Sequence, residues 1–174
     1  IEMKEADTLK DIDADVLLLQ EVSAKVFTTA KGDKDCQWHE RLDPMLEAHG
    51  YTDTNPVIAP LPKSAADAGN PEGVNYTPIF YKADVLDLID CGHKFYGSVA
   101  MNPDSFLSSS KSYTWALFER KTTGKRFVAF STHLTYHGNA ETGNRLRTED
   151  ANDVIAKMEE LETLYPGIPM LLMG

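Results

Sequence analysis

Hydrophobic positions along this chain follow two rhythms, one of helices and one of strands. From Glu2 to Ile12 the apolar residues Met3, Ala6, Leu9 and Ile12 recur every third position, which predicts one face of a short helix. The run Val16–Leu19 is continuously apolar and predicts a buried strand, extended here over Val16–Val22 and carrying the polar pair Gln20-Glu21 near its end. Helix followed by buried strand is half of an alternating α/β rhythm. Trp38–His49 reads as the next helix, with Trp38, Leu42, Met45 and Leu46 on one side and Gly50 as its stop. Pro44 inside it marks either a kink or a first turn that begins later.

The stretch Asn55–Asn75 is rich in Pro, Gly, Ala and Asn and predicts a long surface connection. Such connections often form part of a binding rim. Thr77–Lys82 predicts a short strand and Val85–Ile89 a half-exposed neighbour, followed by a second loop over Asp90–Ser110. Tyr113–Arg120 and Arg126–Leu134 predict an antiparallel hairpin, with Gly124 supplying the positive φ of the turn between them. A polar stretch, Thr135–Asn144, leads into the best amphipathic helix of the chain, Arg145–Leu164, stopped by Tyr165-Pro166-Gly167. Pro169–Met173 is a further buried strand. The pattern as a whole predicts strands joined largely by hairpins, with their sheets packed between helices.

Composition narrows the function classes. With 174 residues the chain is long enough for one core and one domain. No apolar run reaches the length of a bilayer span, and the first residues lack a basic segment followed by an apolar one. The formal net charge is −10, which repels polyanions at long range and disfavours, without excluding, a nucleic-acid partner. The two cysteines, Cys36 and Cys91, are far apart, which excludes a cysteine-rich zinc site. Whether they pair, and in which compartment, stays open.

Two strand ends carry candidate chemistry. Glu21 follows a core strand, where an ionised carboxylate is costly unless a cation or donor set compensates it. It is a candidate ligand for a hard metal ion, the alternative being a side chain that simply emerges into water. In Phe130-Ser131-Thr132-His133-Leu134, strand alternation places Val128, Phe130 and Thr132 on one face and Ala129, Ser131 and His133 on the other. His133 closes its strand just before a glycine-containing loop, where a histidine can donate to a phosphoryl oxygen or shuttle a proton, or hold the loop for structure alone. His133 and His137 are four apart, but Gly138 and the preceding strand rule out the helical zinc pair. Nucleophile elbows and phosphate-cradling Gly-Lys-Ser/Thr loops are absent from the sequence.

Four segments in fixed order then carry a resemblance: Asp15–Glu21 (Asp-Val-Leu-Leu-Leu-Gln-Glu), Pro78–Lys82, Tyr113–Ala116 and Ser131–Leu134. With the helix containing Arg147, Ala151, Val154 and Ile155 and the strand Pro169–Gly174, the chain resembles the endonuclease/exonuclease/phosphatase superfamily. These are metal-dependent phosphoesterases that include pancreatic-type deoxyribonuclease, abasic-site endonucleases, bacterial sphingomyelinases and inositol polyphosphate phosphatases. The resemblance implies part of a four-layer α-β-β-α sandwich, two mostly antiparallel sheets flanked by helices. It implies Mg²⁺ (or Mn²⁺) as cofactor, with Glu21 as its ligand and His133 as the catalytic histidine that contacts the scissile phosphate. It places Asn75, Lys111 and His137 as substrate-binding residues, although Tyr136-His137 departs from the Asp-His pair seen in some members.

The family's first strand, with its asparagine, and its later Asp-x-Asn and Ser-Asp-His motifs have no counterpart in these residues. Residues 1–174 are therefore expected to form an incomplete domain that hydrolyses little or nothing by itself. The implied function is Mg-dependent phosphoester hydrolysis, on a small or lipid-like phosphoester in preference to duplex DNA. A nuclease of the same family and a non-catalytic binding domain that keeps the fold are the alternatives.

Overall fold

The hairpin that alternation predicts most clearly is the spine of the larger of two sheets. The computed structural model describes residues 8, 11–23, 27–28, 34–35, 38–54, 56, 75–97 and 111–174. In chain order the elements are β1 (Val16–Leu18), β2 (Val22–Ser23), β3 (Phe27–Thr28), β4 (Lys34–Asp35), α1 (Trp38–Glu47) and β5 (Tyr51–Asp53). They continue with β6 (Asn75–Tyr76), β7 (Ile79–Lys82), β8 (Leu86–Phe95), β9 (Ser112–Arg120), β10 (Arg126–His133), α2 (Ala140–Leu164) and β11 (Met170–Met173). The larger sheet has the order β11-β10-β9-β8, antiparallel except for the parallel pair β10–β11. The smaller has the order β1-β7-β5, antiparallel throughout, and two short ladders, β2–β6 and β3–β4, stand beside it.

Side-chain alternation stacks these parts into layers. On β7, Ile79 joins Leu86, Ala116, Phe118 and Ala129 in a cluster between the two sheets. Its neighbour Phe80 points the other way, to Leu17, Leu42, Leu46 and Tyr51 under α1. On β10, Ala129 faces the smaller sheet, while Val128 and Phe130 pack with Trp115, Leu117, Val154 and Leu161 under α2. The order α1, small sheet, large sheet, α2 is the four-layer sandwich that the sequence implied. Phe80, Phe118, Phe130, Leu46 and Leu161 are fully buried, and each such side chain contributes about 1.5–3 kcal/mol relative to exposure.

Local rules explain most element ends. Pro44 sits inside α1, whose C-terminal turn ends at Gly50 with φ +84°. Gly124 adopts φ +65° in the β9–β10 turn, a left-handed conformation that favours glycine. Three elements differ from the pattern reading. The predicted strand Val16–Val22 is two strands in different ladders, β1 and β2, broken at Glu21. β8 runs on to Phe95, five residues beyond Asp90 where a loop was expected. A register shift between Leu88 and Asp90 hides the strand from a simple alternation count. The last helix starts at Ala140 rather than Arg145, because Asn139 caps it by accepting from the Thr142 N–H at 3.0 Å.

Of the predicted helix Glu2–Ile12, the described residues Thr8, Asp11 and Ile12 are helical; the rest lies outside the described residues, as does most of Asn55–Asn75. Cys91 is a free, half-buried thiol, and Cys36 lies outside the described residues. Among the described residues no helix is long and apolar enough to cross a membrane. β11 lies at the edge of the large sheet with Leu171, Leu172 and Met173 about half exposed.

Candidate functional site

The two sheets are stitched together at one end by a serine hydroxyl. Ser131 on β10 donates from Oγ to the Leu19 carbonyl at 2.8 Å and accepts from Gln20 Nε2 at 3.1 Å. The Leu19 N–H in turn donates to the Pro78 carbonyl at 3.0 Å. These bonds fix the chain as it leaves β1, and the next residue, Glu21, adopts φ +59°. A left-handed backbone at a non-glycine residue costs free energy and persists only where the surroundings hold it. The turn directs the Glu21 carboxylate across to the end of the larger sheet.

There it meets His133 and Lys111. Cross-strand register pairs His133 with Ser112, so Lys111, one residue earlier, lies alongside the imidazole. Its backbone is held by the Tyr96 N–H, which donates to the Lys111 carbonyl at 3.0 Å. Lys111 Nζ lies 2.8 Å from His133 Nε2 and 3.0 Å from Nδ1, donating to whichever ring nitrogen is unprotonated. Glu21 Oε1 lies 3.6 Å from Lys111 Nζ and 3.7 Å from His133 Nε2. Lys111 is only 5% exposed, whereas the Glu21 side chain is 65% exposed.

Burial lowers the Lys111 pKa from its ordinary value, with the Glu21 charge partly opposing the shift. The His133 pKa is lowered too, first by burial and then by the Lys111 charge, against an opposing pull from Glu21. The imidazole is thus kept neutral near pH 7, able to accept at one nitrogen and donate from the other. Behind this group, Thr77 Oγ1 lies 3.3 Å from Ser112 Oγ and 3.2 Å from Thr114 Oγ1, a buried hydroxyl cluster between the sheets. From the far side, the buried Asp150 of α2 accepts from the Thr135 N–H at 2.7 Å and fixes the chain two residues past His133.

Three of the five residues singled out from the sequence therefore come together: Glu21, Lys111 and His133. His137 does not join them; its Nδ1 accepts from the Asn139 N–H at 3.1 Å in the turn before α2. Asn75 is placed through its backbone alone, opposite Ser23 in the β2–β6 ladder. Ser131, the Thr77 hydroxyl cluster and Asp150 were not singled out. Hydroxyls on strands give no signal in a pattern of apolar positions, and Asp150 sits on a helix whose other acidic residues are mostly solvated.

The donor set can be tested against a divalent ion. Among the described residues no group of three or more His, Cys, Asp and Glu side chains could hold a metal. Mg²⁺, however, is commonly bound through one or two carboxylates, with water and phosphate oxygens completing its shell. An exposed carboxylate beside a neutral imidazole and a buried ammonium fits that mode in kind. Glu21 would be the protein ligand, with the Lys111 and His133 nitrogens beside it.

Two sheets between helices, with a carboxylate, an ammonium and an imidazole gathered where strand ends of the two sheets meet, make up an α-β-β-α sandwich with a polar cluster at one end. Solved structures share this fold. The human Nocturnin catalytic domain with bound sulfate aligns with a TM-score of 0.64 at 16% identity, covering 98% of this chain and 54% of that one. The mannosyl-6-phosphatase of Bacteroides thetaiotaomicron aligns at 0.62 and 23%, covering 98% and 54%. An endonuclease/exonuclease/phosphatase family protein of the same organism aligns at 0.61 and 23%, covering 97% and 52%. The fold is that of the endonuclease/exonuclease/phosphatase proteins, and the chain spans about half the length of these structures. No protein-family model matches the chain, and no curated protein matches it in sequence.

Proposed function

We propose that this chain carries part of the active site of a phosphoester hydrolase that uses Mg²⁺ or Mn²⁺. The observation that carries the reading is the convergence of Glu21, Lys111 and His133 within 3.7 Å of one another from two separate sheets. A bound divalent ion would supply Lewis-acid polarisation of a phosphoryl oxygen. Glu21 would hold that ion. Lys111 contributes a fixed positive charge toward the phosphate, worth more for being out of water. His133, kept neutral, donates a hydrogen bond from its protonated ring nitrogen to the charge that develops on the phosphoryl group. Ser131 and Gln20 act one step back, fixing the Glu21 turn.

The substrate proposed is a small or lipid-like phosphoester. A net charge of −10 opposes the approach of duplex DNA, and the fold is shared with a mannosyl-6-phosphatase. Residues 1–174 are proposed to be an incomplete form of the domain, with little turnover by themselves.

The test is a substrate panel with the full-length protein: a hexose 6-phosphate, bis(p-nitrophenyl) phosphate, sphingomyelin vesicles and a single-stranded oligonucleotide, each with Mg²⁺ and with EDTA. The expected result is EDTA-sensitive hydrolysis of a small or lipid phosphoester that Glu21→Gln and His133→Ala each reduce at least about a hundredfold, as loss of a general acid–base or charge-stabilising group does. EDTA-resistant turnover, or none on any substrate, would overturn the reading. Preference for the oligonucleotide would move it to the nuclease class.

A further inference from the structure

We infer that Lys111 makes divalent-cation binding at Glu21 conditional on a bound anion, so that metal and phosphate enter this site cooperatively. The inference rests on the reading of Glu21 as the metal ligand and adds to it a rule for how the site fills.

Geometry carries it. Glu21 Oε1 already has an ammonium 3.6 Å away, and Lys111 is 5% exposed, so its charge has no open path into solvent. It is also tethered to His133 at 2.8 Å and by its backbone to Tyr96. A divalent ion arriving at the same carboxylate therefore meets a fixed, buried positive charge on its protein side, 3.6 Å from the carboxylate oxygen, which repels it. The charges at the site also point this way. A divalent cation alone sets a second positive charge beside the Lys111 ammonium, a tetrahedral dianion alone sets a negative charge beside the Glu21 carboxylate, and the two together offset each other. Either ion alone carries a penalty that its partner removes. Lys111 is in this sense a gate on the empty site as well as a contact for the filled one.

The coupling is measurable without turnover. Free Mn²⁺ is followed by electron paramagnetic resonance as it is titrated into the full-length protein, with sodium sulfate as the dianion and sodium chloride at equal ionic strength as the control. The expected result is that sulfate tightens Mn²⁺ binding about tenfold, within the usual span of coupling between two sites. In Lys111→Met, whose unbranched side chain fills similar space, Mn²⁺ is expected to bind about tenfold more tightly without sulfate, and the sulfate effect to shrink below about twofold. Unchanged Mn²⁺ affinity in Lys111→Met, or a sulfate effect that survives there, would overturn the inference.

Linkage supplies a check that needs no variant. Mn²⁺ must tighten sulfate binding to the wild-type chain by the same factor, and its failure to do so would sink the proposal even if Lys111→Met does not fold. Glu21→Gln separates the two levels. If it binds Mn²⁺ as the wild type does, the metal-ligand reading of Glu21 fails. If it loses Mn²⁺ while the coupling in the wild type is absent, only the Lys111 inference fails.

Discussion

Replacing Glu21 by glycine is expected to give a more stable protein than replacing it by alanine, and the difference isolates the strain stored at the site. Both substitutions delete the same carboxylate and lose the same contacts with Lys111 and His133, so those losses cancel in the comparison. What remains is the backbone at φ +59°. Alanine in that left-handed region costs roughly 1–2 kcal/mol, which glycine escapes. Glycine returns part of the gain through its freer unfolded chain, roughly 0.4–1 kcal/mol. The net advantage of glycine is therefore about 0.5–1 kcal/mol, or about 1–4 °C in Tm for a chain of this size. Urea unfolding of the two variants, followed by circular dichroism under identical conditions, reads the difference directly. An alanine variant as stable as the glycine variant would refute the claim that this backbone is strained.

Other perturbations test the surrounding structure. Ser131→Ala removes the hydroxyl that joins Leu19 and Gln20 to β10, and is expected to cost about 1–3 kcal/mol in urea unfolding; wild-type stability would refute its role as a stitch. Gly92→Ala would set a Cβ 2.6 Å from Trp115 Nε1, beneath an indole covered by Lys157 at 4.8 Å. A loss of about 1–3 kcal/mol and a shift in tryptophan emission are expected, and an unchanged spectrum would count against the close packing. His93 has both ring nitrogens shielded from water, and burial pushes its pKa down from 6.5 to about 4. The unfolded chain therefore takes up a proton that the folded one refuses, so this contribution to stability is complete above pH 6.5 and is lost as pH falls toward 4. The full swing is at most about 3–4 kcal/mol. Unfolding across that pH range should show a steeper acid dependence in the wild type than in His93→Phe, and parallel profiles would refute the assignment.

The layers were legible in the sequence because alternation along β9 and β10 and the helical spacing of Val154 and Leu161 are strong, local signals that agree with the packing. The break at Glu21 was not, because an apolar run with a polar pair inside it reads the same whether the chain continues straight or turns into another ladder. β8 was cut short for a related reason: the register shift at Leu88/Asp90 puts acidic residues where alternation expects apolar ones. Within the site, Glu21 and His133 announced themselves by chemistry at strand ends. Lys111 was singled out only through the family resemblance, since by itself a lysine beside a serine run looks like a solvated loop residue. Only the pairing of Ser112 with His133, a long-range fact, buries it against the imidazole. His137, singled out through the same resemblance, is held instead by Asn139 in the turn before α2.

Glu21 rides on one sheet, and Lys111 and His133 ride on the other. The distance between the carboxylate and the two nitrogen groups thus follows the spacing of the two sheets, set by the residues that fill the layer between them. Ala129 and Ile79 sit in that filling, touching neither the carboxylate nor the imidazole. A methyl group added or removed there would act as a shim, moving the two halves of the chemistry apart or together without altering either one.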